Sequence, residues 1–179
     1  MISLIDTTLV GEAFATSAPV NPGDRILVLG IGNLLMGDEG AGVHALRWLE
    51  AEPPLAGVRL LDGGTGGANL LGEFEGRRAV ILIDATRDGS VAGTVVYRHL
   101  KLGRTFDLPK SLSAHDFGLK DLFAAAALIG TLPEIHLYTI AVETLHPMCT
   151  VLSPEVEAAI PEVVHSVHAL AARLSSSLD

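Results

Sequence analysis

The run Ile26-Leu27-Val28-Leu29, closed by Gly30, constrains the fold more than any other stretch of the chain. Its apolar residues are consecutive rather than alternating. A strand with one wet face would alternate, so this pattern marks a strand buried on both faces, as parallel sheets require. Ala79-Val80-Ile81-Leu82-Ile83 forms a second such run and ends at Asp84-Ala85. Further strands are predicted over 58–61, 94–97 and 135–142, and helices over 38–50, 69–75, 115–129 and 153–174. Val43, Leu46 and Leu49 give the first helix its inner side. Ser153-Pro154-Glu155 opens the last helix as an N-cap followed by proline in the first turn. Pro161 is expected to kink or split that helix. The loop over 86–93 is shorter than the dozen or so residues of a parallel crossover. The 94–97 strand must therefore run antiparallel to the third strand or sit elsewhere in the sheet. Strands alternating with helices give an α/β fold, a mostly parallel sheet covered on both faces.

A chain of 179 residues fits one domain. Residues 1–23, with small residues, two prolines and no clear period, read as an N-terminal extension; residues 24–179 read as a single α/β domain. Apolar residues make up 49% but aromatics only 4%, so Leu, Val, Ile and Ala must fill the core. A net charge of −9 with few aromatics argues against gripping phosphates or stacking bases, which excludes nucleic acid as the expected partner. Such an acidic surface can instead steer a basic protein segment towards it. Cys149 stands alone, so no internal disulfide forms, which fits a cytoplasmic location. The first residues lack the basic region of a secretory signal. No apolar run reaches the ~18 residues of a membrane span; the mean hydropathy of +0.43 reflects a buried sheet and Ala/Leu-rich helices.

Ligands of open α/β sheets bind beyond the C-terminal ends of the strands. Three polar clusters fall there: Asp38-Glu39 after the first strand, Asp84 closing the third, and His115-Asp116 opening a later helix. Each has a plainer reading. Asp84 can cap a turn, Asp38 and Glu39 can complement a helix dipole, and His115 can be an ordinary polar residue. Together, Glu39, Asp84 and His115 offer two carboxylates and an imidazole, a donor set suited to a divalent first-row metal such as nickel. Gly30-Ile31-Gly32-Asn33 invites a dinucleotide-binding reading, but the third glycine falls at Leu35 and two acids occupy the phosphate position. Asp62 can still mimic a ribose-binding acid. The glycines here and over 63–67 read as turns at positive φ, or, over 63–67, as a backbone that a peptide can approach. No H-E-x-x-H or G-x-S-x-G motif is present, and Cys149 follows no nucleophile pattern. His165 and His168 stand three apart on the last helix and read as surface residues. His44, His99 and His136 have no evident partner.

The stretch from Ile26 to Gly40 resembles the opening signature of the nickel–iron hydrogenase maturation proteases. So, in order and spacing, do Leu61-Asp62-Gly63-Gly64-Thr65, Ile83-Asp84-Ala85, Ser113-Ala114-His115-Asp116-Phe117-Gly118 and Leu152-Ser153-Pro154-Glu155-Val156. The resemblance spans residues 25–172. It implies a three-layer α/β/α sandwich with a twisted, mostly parallel five-stranded sheet. It implies that Glu39, Asp84 and His115 contact a metal and carry the activity. It implies an endopeptidase that trims the C-terminal extension of a nickel-loaded hydrogenase large-subunit precursor, cutting after a His or Arg that follows the last metal-binding C-x-x-C motif. The nickel then comes with the substrate and is not a resident cofactor. The alternative from another class is a non-enzymatic nickel-binding chaperone using the same three residues.

Overall fold

The apolar runs form strands of one sheet in the computed structural model, which describes residues 23–100, 122–123 and 133–176. The strands are β1 (Ile26–Ile31), β2 (Val58–Gly64), β3 (Ala79–Thr86), β4 (Val95–Leu100) and β5 (Glu134–Ala141). Their spatial order is β2-β1-β3-β5-β4. The first four in that order are parallel neighbours, and β4 lies antiparallel on β5 at the edge. Thus the strand after the short loop does sit elsewhere: β5 comes between it and β3. Every residue of β3 is buried, whereas the residues of edge strand β4 are half-buried or exposed.

Each face of the sheet has its own apolar cluster. Ile26, Val28, Ile81 and Ile83 pack on one side under α1 (Ala41–Leu49) and α2 (Pro154–Ser176). Leu27, Leu29, Val80 and Leu82 pack on the other, with Leu70, Phe74, Leu122 and Phe123. These are the layers of an α/β/α sandwich. Burying a side chain of this size contributes about 1.5–3 kcal/mol, so two full faces fix the register of the central strands.

Three helix expectations change. The helix expected from Asp38 is divided: Gly37–Gly40 is a 3-10 turn and the α-helix starts at Ala41. Gly37, Gly40 and Gly42 make this stretch a poor α-helix former. The segment Gly67–Phe74 is also 3-10 rather than α-helical. Pro161 does not split α2, which continues as one 23-residue helix. Both Pro161 and Glu157, whose carbonyl loses its donor, are exposed. Water can therefore satisfy that carbonyl. Of the helix expected over 115–129, only Leu122 and Phe123 are described; both are helical and fully buried. The proposed extension over residues 1–23 lies outside the described residues except for Gly23. No helix among the described residues is long and apolar enough to cross a membrane.

Candidate active site

Strand order reverses between β1 and β3, since the chain leaves β1 for β2 on one side and returns to β3 on the other. A crevice opens at the C-terminal ends of strands at such a point. Here glycines set its depth. A Cβ on Gly42 would lie 2.2 Å from the carbonyl oxygen of Ile83 and 2.3 Å from that of Ile31. Only a glycine lets the start of α1 press onto both strand ends. Gly32, at φ 140°, leaves room for the carbonyl of Glu39, which a Cβ would meet at 1.9 Å. The turn reading thus holds for Gly32. Gly30 has a different cause, the approach of Gly42 and Leu46 in α1. In the 63–67 stretch, Gly64 and Gly67 have positive φ.

These close approaches bring the Gly37–Gly40 turn against β3. Asp84 is 6% exposed and aligns with Thr139 of β5. By strand alternation its side chain belongs to the face of Val80 and Leu82, where Leu122 and Phe123 pack. Its Oδ1 accepts the Ala85 N–H at 2.8 Å. Glu39 is half-buried in the adjoining turn. Asp38, its neighbour, acts as a tether. Its Oδ1 accepts the Ser153 N–H at 2.6 Å, tying the turn to the start of α2. The Ser153 hydroxyl, expected to cap α2, is instead buried with no hydrogen-bond partner among the described residues. His115 lies outside the described residues. The described residues therefore place the Glu39 turn on the strand that carries Asp84.

Beside this turn lies an open cleft of about 740 Å³, lined by Asp38, Arg87, Val91, Glu143, His146 and Glu155 among others. Its walls are the loops that leave β3 and β5. The second of these is stitched to the loop after β1: Met36 and Cys149 form a parallel bridge, and Gly37 N–H donates to the Cys149 carbonyl at 2.8 Å. The Cys149 thiol donates to the Val151 carbonyl at 3.5 Å. The joined loops present Leu35, Met148 and Val151 to solvent, with Met148 86% exposed and at φ 61°. No apolar periodicity marks this rim in the sequence, because it belongs to loops.

The remaining candidates separate clearly. Asp62 accepts the Gly64 N–H at 2.9 Å, an Asx turn that accounts for it without a ribose. His168 Nε2 lies 3.3 Å from the Pro53 carbonyl, and His165 is exposed. His99 and His136, which show no partner in the sequence, stack at 4.6 Å across β4 and β5.

Comparison with known proteins gives the family and the fold. Residues 43–170 match the family described as hydrogenase maturation protease; Asp84 and His115 fall inside that stretch and Glu39 just before it. The chain is 43% identical to the hydrogenase expression/formation protein HupD of Rhodobacter capsulatus, over 62% of this chain and 53% of that protein. It is 35% identical to the hydrogenase 2 maturation protease of Escherichia coli (strain K12), over 80% of this chain and 88% of that protein. The chain thus spans about half the length of this HupD and of the HoxM of Azotobacter vinelandii. The structure is similar to that of the hydrogenase maturating endopeptidase HybD from E. coli. The TM-score is 0.70 at 34% identity, covering 82% of this chain and 91% of that one. HybD from Thermococcus kodakarensis gives a TM-score of 0.67 at 29% identity, covering 82% and 98%.

Proposed function

Because the chain belongs to the hydrogenase maturation protease family, we propose that it is an endopeptidase that removes the C-terminal extension of a nickel-loaded hydrogenase large-subunit precursor. The observation that carries this reading is the packing of the Glu39 turn against β3, the strand of Asp84, at the sheet's switch point. His115 completes the set. Its segment leads to Leu122 and Phe123, which pack on the face where Asp84 lies. The substrate's nickel docks on Glu39, Asp84 and His115, and docking fixes the scissile bond relative to the metal. Such positioning supplies rate as well as selection. Nickel held there would supply Lewis-acid polarisation of the scissile carbonyl; hydrolysis adds water to that carbon, breaks its bond to nitrogen and passes a proton from the water to the leaving amine. The cleft holds the extension. Its exposed acids, Glu143 and Glu155, suit a basic peptide, and the Leu35–Met148–Val151 rim suits apolar residues next to it.

A free site of this kind would prefer copper over nickel. Selectivity therefore resides in the docked precursor, and the enzyme is metal-free at rest. Both partners meet in the cytoplasm. The test is to mix purified protein with nickel-loaded precursor and follow the mass of the large subunit. A shortened product is expected. Glu39→Gln, Asp84→Asn and His115→Ala should each reduce processing by at least about 100-fold, a loss of the size seen when one transition-state contact is removed, with the fold intact by circular dichroism. Stable association without cleavage would make the protein a chaperone, and normal processing by all three variants would end the site assignment.

A further inference from the structure

We propose that His99, Glu134 and His136 form a site for a divalent cation of the zinc class, clamping edge strand β4 to β5. The three donor atoms lie within 4.8 Å of one another. Glu134 Oε1 is 3.2 Å from His99 Nε2 and 3.2 Å from His136 Nε2. Zinc bonded to nitrogen and oxygen at about 2.0–2.2 Å would set neighbouring donors about 3.3–3.6 Å apart in a tetrahedron. The two distances to Glu134 are already near that spacing, and the third lies within 4.8 Å.

A network held by protons alone fits less well. His136 is 2% exposed, and its Nε2 is buried with no well-aligned hydrogen-bond partner among the described residues. It lies 3.2 Å from Glu134 Oε1, close enough for an ion pair but poorly aligned for a hydrogen bond, so a buried polar atom is aimed into the cluster and only weakly satisfied. Such an atom is costly unless something occupies the space before it. On the other side of the ring, Nδ1 is 2.8 Å from the Tyr97 hydroxyl. When Nδ1–H donates to that oxygen, Nε2 presents its lone pair to the cluster. Metal-bound histidines are commonly oriented by such a contact. Burial pushes the His136 pKa below its ordinary 6.5, against the pull of Glu134 and with the help of His99 and Arg173. Burial also pushes the Tyr97 phenol up, which keeps it a phenol.

The site is separate from the candidate active site. Glu134 aligns with Ala79, at the start of β3, whereas Asp84 aligns with Thr139. Five strand residues separate the two levels, about 16 Å. His136 aligns with Ile81, on the α2 side of the sheet, while Asp84 belongs to the other face. The side chains of His99 and Glu134 are 40% and 36% exposed, so an ion can enter from solvent and keep a fourth position for water. One ligand comes from β4 and two from β5. The ion would thus fasten the edge strand near Leu100, its last residue. The proposal does not depend on the peptidase reading.

The test uses the full chain, stripped with a chelator. Calorimetric titration with zinc chloride should give one equivalent bound when Glu39→Gln and Asp84→Asn are both present, so that the other site does not count. His99→Ala and Glu134→Gln should each weaken binding at least tenfold, and zinc should raise the Tm of the parent but not of the pair of variants combined. His99 is on an exposed edge and Gln keeps the shape of Glu134, so both should fold. As a check that needs no variant, zinc should shift the His136 ring nitrogen resonances. No zinc bound by the folded chain, or equal binding in the combined variant, or unmoved His136 resonances, would overturn the proposal.

Discussion

Two adjacent acids with the same chemistry do different work. The Asp38 carboxylate accepts the Ser153 N–H at 2.6 Å and is 4% exposed, so it holds the 3-10 turn to α2. Asp38→Ala leaves that amide without its acceptor, next to a hydroxyl that has no partner among the described residues. A loss of about 1–3 kcal/mol is expected in urea unfolding, the usual cost of orphaning a buried donor. Asp38→Asn keeps an acceptor oxygen and should cost less; an equal loss would mean that the charge, not the hydrogen bond, matters. Met148 presents the opposite case. At φ 61° and 86% exposed it carries backbone strain with no packing return. Met148→Gly relieves about 1–2 kcal/mol of that strain and returns about 0.5–1 kcal/mol as chain entropy. Stability should hold or rise slightly. If the side chain docks precursor, KM should rise while kcat holds; an unchanged KM would remove Met148 from the docking surface.

At the scale of elements, the junction of α1 with the sheet sets the candidate site. Gly42→Ala puts a methyl 2.2 Å and 2.3 Å from two strand-end carbonyls, so α1 must retreat and carry the Glu39 turn with it. Overpacking of this kind costs about 1–3 kcal/mol, and kcat/KM should fall further than stability alone explains. Gly72→Ala is the control, since nothing lies within 4 Å of a Cβ there. Normal processing by Gly42→Ala would mean that the turn's position against β3 is not critical. How much of this was legible depended on whether the signal was local. The runs Ile26–Leu29 and Ala79–Ile83 announced their own strands because both faces are buried. The sequence pattern also put Glu39 and Asp84 at strand ends. The place of β4 beside β5 was not legible, because it is fixed by pairing between distant segments. Nor could composition show that Gly37–Gly40 is 3-10, or that Pro161 would leave α2 whole by facing water. The resemblance singled out Glu39, but the structural task of Asp38 was hidden, because its partner Ser153 lies 115 residues away. The partnership of His99 with His136 was hidden for the same reason.

For the whole molecule, two imidazoles make stability depend on pH in one direction. His44 and His136 both have pKa values below the ordinary 6.5, burial being the largest cause in each. Around His44, Arg47 adds to the shift while the Thr150 backbone and Glu157 oppose it. Around His136, Glu134 opposes it while His99 and Arg173 add. A lowered folded-state pKa means that the unfolded chain binds more protons between the two values. The neutral rings therefore contribute fully above pH 6.5, and their contribution fades as pH falls towards the lowered values. Thermal melts in chelator from about pH 8 to about pH 5 should show Tm falling on the acid side, in the range where histidine titrates. His44→Gln should flatten the slope, because glutamine keeps a polar side chain without a proton to gain. Zinc should steepen it. Binding at His99, Glu134 and His136 competes with protons, so the gain in Tm from zinc should shrink as pH falls. A Tm that stays level across this range in chelator would mean that neither ring is held neutral by the fold. A gain from zinc that ignores pH would mean that the ion binds somewhere other than on imidazole.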